Sequence, residues 1–315
     1  MTTTETRVSE DTAKAVNKAE KRRDWVRRAP LLPALVFTLI MTQLPFVATL
    51  VISFMNWQAY SPDSRRFAGI DNFVTVFTSP DLRDSVLTTI MMTVTVVLVS
   101  LILGLGIALL LNRTFFGRGI VRTMIITPFR VVPVAAALFF KHGIFNPTSG
   151  AINGVLSWVV GLFGGGDVQI DWLSQFPLLS VETQLIWQWT PFMTLILLAG
   201  LQSRPGDILE AAAVDGASPW QAFTHLTLPH MRQYLELAGL LGTIYIVQNF
   251  DSVFTITSGS LGTANLPYTI YTTVFNAQDY GLASAQGVIV VIGSIIIATF
   301  ALRTVSSLFR EESVR

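Results

Sequence analysis

The stretch EAAAVDGASPWQAFTHLTLP, residues 210–229, lies between two long apolar segments yet is too polar and too punctuated to cross a membrane. Its reading fixes the rest of the chain. It is alanine-rich, interrupted at Gly216 and closed by Pro229, so it reads as a small helical unit set on one face of a membrane domain.

The surrounding composition supports that setting. Of 315 residues, 51% are hydrophobic and 13% charged, with a mean hydropathy of +0.55, whereas a soluble domain carries roughly a quarter charged residues. The net charge is +1, and no domain-scale basic patch points to nucleic acid. With no cysteine there is no disulfide, thiol chemistry or cysteine metal site, and the three histidines (His142, His225, His230) are scattered. No catalytic or metal-ligating set stands out.

Runs of about 18 or more apolar residues are long enough to span a core of about 30 Å at about 1.5 Å per residue. Six such runs occur, at 31–55, 86–111, 120–142, 181–202, 233–257 and 285–308, predicting an all-α integral membrane protein with six transmembrane helices. The first is too long for a signal-peptide core and has no small-residue cleavage site, so it reads as a retained anchor. Between assigned cytoplasmic and outer segments, Lys and Arg divide sixteen to three, placing both termini and the 203–232 loop in the cytoplasm. Residues 1–30 are basic and polar with no apolar periodicity, predicting a disordered terminus, and 311–315 a short tail. Segments 56–85, 143–180 and 258–284 then lie outside, the middle one carrying an interfacial or lid-like helix around AINGVLSWVVGLFGGG.

Within the loop, Asp207 is the expected N-cap of a first helix, with Glu210 three residues on. Gly216 ends that helix. Ser218 and Pro219 start a second, serine as N-cap and proline at a first position whose N–H is unpaired in any case. Trp220, Phe223 and Thr227 would share one face. From composition alone the unit reads equally as a structured loop on the membrane surface or as a plug for a partner's groove.

The spacing favours the plug. Glu210-Ala211-Ala212, Gly216, Leu226 and Leu228-Pro229 resemble the cytoplasmic signature loop of permease subunits of binding-protein-dependent ABC importers, in which the loop forms coupling helices seated on the ATPase. The resemblance extends over about residues 30–310, through QLPFVATLVISFMNW (43–57), GRGIVRTMIITPF (117–129), VPVAAALFFKHGIFNPTSGAING (132–154) and LPHMRQYLELAGLLGTIYIVQNFDSVFTITSG (228–259). Within the family these segments are most similar to permeases for sugar alcohols of the sorbitol and mannitol type. The resemblance implies a prokaryotic cell-membrane location, a second related permease, two cytoplasmic ATPase subunits that use ATP and Mg²⁺, and an extracellular solute-binding protein. The chain has no G-x-x-x-x-G-K-[ST] phosphate loop of its own. Permeation of a di- or oligosaccharide or a phosphorylated sugar is the alternative. A secondary transporter, with coupling-ion groups and repeated halves, and a membrane scaffold without transport are the other classes.

A path for a hydroxylated solute calls for amides, hydroxyls and aromatic rims at membrane depth. Tyr245, Gln248, Asn249, Asp251 and Ser252 form the densest polar set, with Tyr245, Gln248 and Ser252 at helical spacing. Gln184, Trp187, Gln188 and Trp189 are the second set. The amides read either as lining or as interhelical glue, and the tryptophans as rim or as interfacial belt. Arg130 and Asp251 would be isolated charges there, so either they pair or Arg130 faces the aqueous path. Members of the resembled family tend to be apolar at the Arg130 position, and Arg130 would suit a more polar or anionic solute. Lys141 is expected to snorkel outward, Pro128 and Pro133 to interrupt the third span, and Ala283, Gly287 and Gly293 to admit a close helix neighbour from this chain or a second permease.

Overall fold

The computed structural model describes residues 29–312, so the expected polar terminus and the last residues of the tail lie outside the described residues. The chain divides into two units, residues 1–52 and 53–315. In the first, a short 3-10 turn (Ala29–Leu31) leads into helix α1 (Leu32–Ser53). Thr38, Thr42 and Thr49 each donate to the carbonyl four residues back, at 2.9, 2.8 and 3.0 Å, which satisfies three hydroxyls inside an apolar helix.

The second unit opens with an antiparallel hairpin, β1 (Met55–Gln58) and β2 (Ser61–Phe67), paired Met55 to Phe67 and Asn56 to Arg66, with a bulge between Asn56 and Gln58. The Arg65 guanidinium sits 4.5 Å over the Trp57 ring, and Tyr280 meets the same ring edge-on at 5.7 Å. Helix α2 (Asp71–Thr78) follows, then the 33-residue α3 (Pro80–Asn112). After α3 come α4 (Arg118–Arg130) and α5 (Pro133–Phe139), the latter continuing as a π turn to Ile144. Next are α6 (Ala151–Leu162), α7 (Trp172–Gln175) and α8 (Pro177–Ser203). Two short helices, α9 (Asp207–Val214) and α10 (Pro219–Ala222), precede α11 (Leu228–Val247), α12 (Asp251–Ile256), α13 (Leu266–Phe275) and α14 (Tyr280–Glu312).

By length and composition α1, α3 and α8 can each cross a membrane, and α4 with α5 make a fourth if the bent pair is one span. Two of the expected spans are broken, the third at Pro133, where an interruption was expected, while Pro128 stays inside α4. The 120–142 segment bends by 98° between α4 and α5, because Val131 and Val132 are extended ahead of Pro133, whose ring disfavours a helical preceding residue and which has no N–H to donate. The 233–257 segment stops at Gln248 and restarts at Asp251 with no proline in the gap. There Asn265, fully buried, donates from Nδ2 to the Asn249 carbonyl and accepts the Tyr268 N–H at 3.1 Å, so one side chain closes the break and caps α13.

The core runs along α3 and α8. Met92, Val96 and Val97 of α3, Ala137 of α5, Val181 and Leu185 of α8, Ile246 of α11, and Val253 and Ile256 of α12 form one buried cluster. A second joins Ala108 and Leu111 to Leu197, Leu198, Leu201 and Met231. Val76, Leu82 and Ala285 form a third, holding α2 and the start of α3 against α14. Outside this frame, α6 falls within the 143–180 segment where a short helix was expected. It is tied down by the buried Asn153, which donates to the carbonyls of Pro147 and Ile170 and accepts from Trp172 Nε1 at 2.8 Å.

Gly104 sets how closely α3 and α8 approach, since a Cβ there would lie 3.0 Å from Met193 Cβ and 3.1 Å from the Thr194 backbone N. At Gly106, two residues on, a Cβ would meet nothing within 4 Å. Gly104→Ala should therefore lower stability by about 1–3 kcal/mol through forced separation of the helices. Gly106→Ala should be neutral or gain up to about 1 kcal/mol of helix propensity. Thermal unfolding of the two purified variants side by side checks this, and equal midpoints would rule out the close-contact account.

Candidate functional site

Two places gather the expected functional residues. The first is the helical unit between α8 and α11. Helix α9 does not begin with the expected Asp207 cap: Gly206 has helical backbone angles and stands at the cap position, Asp207 is already in the first turn, and no side chain caps the end. Asp207 and Glu210 instead place two carboxylates in the first turn, where the helix dipole favours them. The helix ends as expected at Gly216, φ +83°, in a Schellman arrangement: Gly216 N–H donates to Ala213 O at 3.2 Å and Ala217 N–H to Ala212 O at 2.9 Å. Only glycine takes that angle without strain.

Helix α10 starts at the expected Ser218 and Pro219. Ser218 Oγ accepts the Gln221 N–H at 3.3 Å and Gln221 Oε1 accepts the Ser218 N–H at 2.8 Å, a capping box whose second half, Gln221, was not singled out in the sequence. A five-residue π turn, Phe223–Thr227, then runs directly into Leu228 and Pro229 at the start of α11, with Leu226 partly buried inside it. Trp220 is 71% exposed and its ring lies 5.7 Å from that of Phe223. Thr227 leaves that stripe: it is buried, and its hydroxyl accepts from Arg204 Nη1 at 2.6 Å. The five-residue repeat of the π turn, in place of four, rotates it off the face the α-helical spacing assigned.

Residues that sequence reasoning did not select hold together the two helices that flank this unit. Ser203 Oγ and Tyr234 Oη are 2.7 Å apart, and His230 Nε2 lies 3.2 Å from the Gly200 carbonyl. A Cβ on Gly200 would sit 2.5 Å from the Tyr234 ring, so α8 and α11 meet there through a glycine. No local pattern distinguishes these four residues, because their partners are roughly thirty positions away.

The second place is where the two broken helices face α8. Gln184 and Gln188, one turn apart and both buried, form a chain: Gln184 Nε2 donates to Gln188 Oε1 at 2.8 Å, and Gln188 Nε2 donates to the Val131 carbonyl at the α4–α5 break, at 3.1 Å. Trp189 stacks on Tyr245 with centroids 5.1 Å apart, and Phe129 and Phe192 complete an aromatic cluster at 5.1–5.6 Å from their neighbours. Trp189 thus faces the bundle partners, and Tyr245 remains 53% exposed at its edge. Trp187 is separate, packed on Phe140 at 5.3 Å. Gln184 Oε1, Asn249 Oδ1 and Ser252 Oγ are buried without a hydrogen-bond partner.

Three expectations about this region change. Tyr245, Gln248 and Ser252 do not share a helical face, because the helix ends at Gln248: Tyr245 and Gln248 are exposed while Ser252 is buried on α12. Arg130 and Asp251 do not pair, since the one ion pair among the described residues is Arg232–Glu236, at 2.8 Å. Each charge sits at a helix end of matching polarity, Arg130 in the last turn of α4 and Asp251 in the first turn of α12, which compensates both without a contact. Lys141 does not snorkel; its Nζ donates to the Thr255 carbonyl near the end of α12, at 2.9 Å. On α14, Ala283 is buried, whereas Gly287 and Gly293 would each give a Cβ open space.

Residues 100–310 match the family described as the binding-protein-dependent transport system inner membrane component. The trehalose/maltose transport system permease of Thermococcus litoralis is 32% identical over 82% of this chain and 86% of its own length. The trehalose transport system permease of Mycobacterium tuberculosis is 30% identical over 90% of this chain and 91% of its own. A chain of a bacterial alginate ABC transporter, solved in complex with an alginate pentasaccharide-bound periplasmic protein, superposes with a TM-score of 0.76 over 90% of this chain and 94% of its own, at 24% identity, and so speaks to the fold. The close helical frame, the broken helices facing it and the matched sequence agree that this chain is a multi-pass membrane protein of the binding-protein-dependent transport system inner membrane component family, the permeases of ABC transporters.

Proposed function

We propose that the chain is one membrane subunit of a carbohydrate importer, moving a di- or oligosaccharide by alternating access, with ATP hydrolysed by separate subunits docked on residues 207–229. The observation that carries the solute class is the Trp189–Tyr245 stack, with Tyr245 half exposed, on the same helices or helix breaks that carry the buried, unpaired polar atoms of Gln184, Asn249 and Ser252. Aromatic faces take the C–H surface of a sugar ring, and neutral amides take its hydroxyls. The relatives' trehalose and maltose assignments move the solute from the sugar alcohol of the sequence resemblance toward disaccharides. In this reading the chain has six spans with both termini cytoplasmic, and the full assembly adds a second permease, two ATPases and a binding protein outside. A second reading, an anionic or phosphorylated sugar, is favoured by one observation: Arg130 is exposed and follows Phe129 of the aromatic cluster directly.

The test is ATPase activity of the purified assembly in lipid, with its binding protein and a panel of trehalose, maltose, sorbitol, mannitol and sugar phosphates. Stimulation by a disaccharide supports the first reading, and stimulation by sugar phosphates alone replaces it with the second. No copurifying ATPase removes both.

Tyr245→Ala should raise the half-saturating sugar concentration in uptake by about three- to tenfold, the equivalent of about 0.5–1.5 kcal/mol of aromatic contact, with expression unchanged. An unaltered value would take Tyr245 off the path.

In the docking unit, Gly216→Pro should abolish uptake with membrane insertion intact, because proline is locked near φ −65° and the native φ is +83°. Ser218→Ala should cost about 1 kcal/mol of local helix stability and weaken ATPase copurification partially. Full uptake by Gly216→Pro would remove the docking role.

A further inference from the structure

We propose that a cleft walled by the start of α3, the 257–264 loop, α13 and the start of α14 is a second solute site, taking a neutral polyhydroxylated ligand of disaccharide size. The cleft encloses about 510 Å³, within the range of small-molecule sites. It shares no residue with the Gln184, Trp189 and Tyr245 set.

The lining selects the ligand chemistry. Asp81, Asp84, Thr88, Tyr268, Thr272 and Gln286 face the cleft, and neither Lys nor Arg does. Two carboxylates accept from hydroxyls, the threonines both donate and accept, and the Tyr268 ring offers an apolar face. With no cation in the wall, a phosphate or carboxylate would meet two like charges unscreened. A sugar meets neither problem.

Gln286 supplies an independent observation. It is 1% exposed, its Nε2 donates to Thr273 Oγ1 at 3.3 Å, and its Oε1 has no partner. A buried acceptor left unpaired is costly, and a ligand hydroxyl is the donor that satisfies it. The walls are already braced: Ser85 Oγ and Thr269 Oγ1 are 2.7 Å apart, and Thr88 donates to the Gly262 carbonyl at 3.3 Å. Tyr268 is also capped by Asn265, which bonds the Asn249 carbonyl at the α11–α12 break, so the cleft wall and the inner path share one anchor. The segments forming the cleft fall on the side read as outward, where solute would arrive. This inference rests on the carbohydrate reading above and adds a station before the inner path.

The chain has no cysteine, so Thr272→Cys and, as a second reporter, Ala264→Cys each place one thiol of this chain in the cleft. Maleimide labelling of that thiol is followed by mass in the assembled importer in lipid, with trehalose, maltose or Ca²⁺ added, alongside uptake of the same sugars by the unsubstituted importer. A sugar at ten times its Kd should slow labelling about tenfold, because only free sites react, and adding Gln286→Leu should abolish the protection. If the importer takes up a sugar that protects neither reporter, the site is overturned and the carbohydrate reading stands. If no sugar is taken up and none protects, both fall. Protection by Ca²⁺ alone would make the cleft a cation site and overturn the proposal.

Discussion

A backbone carbonyl or N–H released inside hydrocarbon has no water to turn to, so a broken helix at that depth survives only where the protein supplies the missing partner. Two helices are broken against the α3–α8 frame, and in each a buried amide side chain makes the repair. Gln188 takes the carbonyl of Val131 and Asn265 takes the carbonyl of Asn249. The side chains that repair the backbone are therefore neighbours of the polar groups left open, Gln184 Oε1 and Asn249 Oδ1. Polar chemistry inside the bundle is gathered at the breaks themselves, and the α3–α8 packing holds them in place.

That holding is done by close packing. Gly104 brings α3 onto the backbone of α8, and Gly200 brings α8 onto the Tyr234 ring of α11. Interiors packed this way transmit displacement and do not absorb it. The 207–227 unit is fastened to the same frame: Arg204 at the end of α8 donates to Thr227, and next to it Ser203 ties α8 to Tyr234 of α11. Under the proposed docking role, a push on Trp220 and Phe223 reaches α8 and α11 through these two contacts, and α8 carries Gln184, Gln188 and Trp189. The link between the two sites is then a short run of hydrogen bonds and one helix.

What the sequence discloses here tracks how local the determining physics is. Helices 32–53, 80–112 and 177–203 are legible because apolar length alone specifies them. Gly216 and Ser218-Pro219 are legible because turn and cap chemistry involves neighbours within three residues. The break at 248–250 is not, because no proline marks it and its stabilising residue, Asn265, is sixteen positions away. The β1–β2 hairpin escapes for a related reason: its strands are rich in Asn, Gln, Ser and Arg, and it is held by Trp57 between Arg65 and the distant Tyr280. Arg130 and Asp251 invited a pairing because isolated charges at depth are costly, yet a helix end is also a counter-charge, and each residue had one.

The same chemistry bears on how a path of this kind handles its solute. A lining of strong fixed charges would hold a solute too tightly to release it, whereas conduction needs binding favourable enough to enter and weak enough to leave. Apart from Asp251 and Arg130, the groups of the proposed path are amides, hydroxyls and ring faces, whose individual hydrogen bonds are each worth about 0.5–1.5 kcal/mol net. Arg130 is the one cation among them, exposed at the end of α4 next in sequence to Phe129 and without an acidic partner among the described residues. A neutral sugar passes such a cation with one more weak hydrogen bond, while an anionic one would be retained by it. On release alone, a guanidinium beside the proposed path would suit an uncharged solute, a kinetic argument set against the charge attraction that otherwise makes Arg130 the one feature favouring a sugar phosphate.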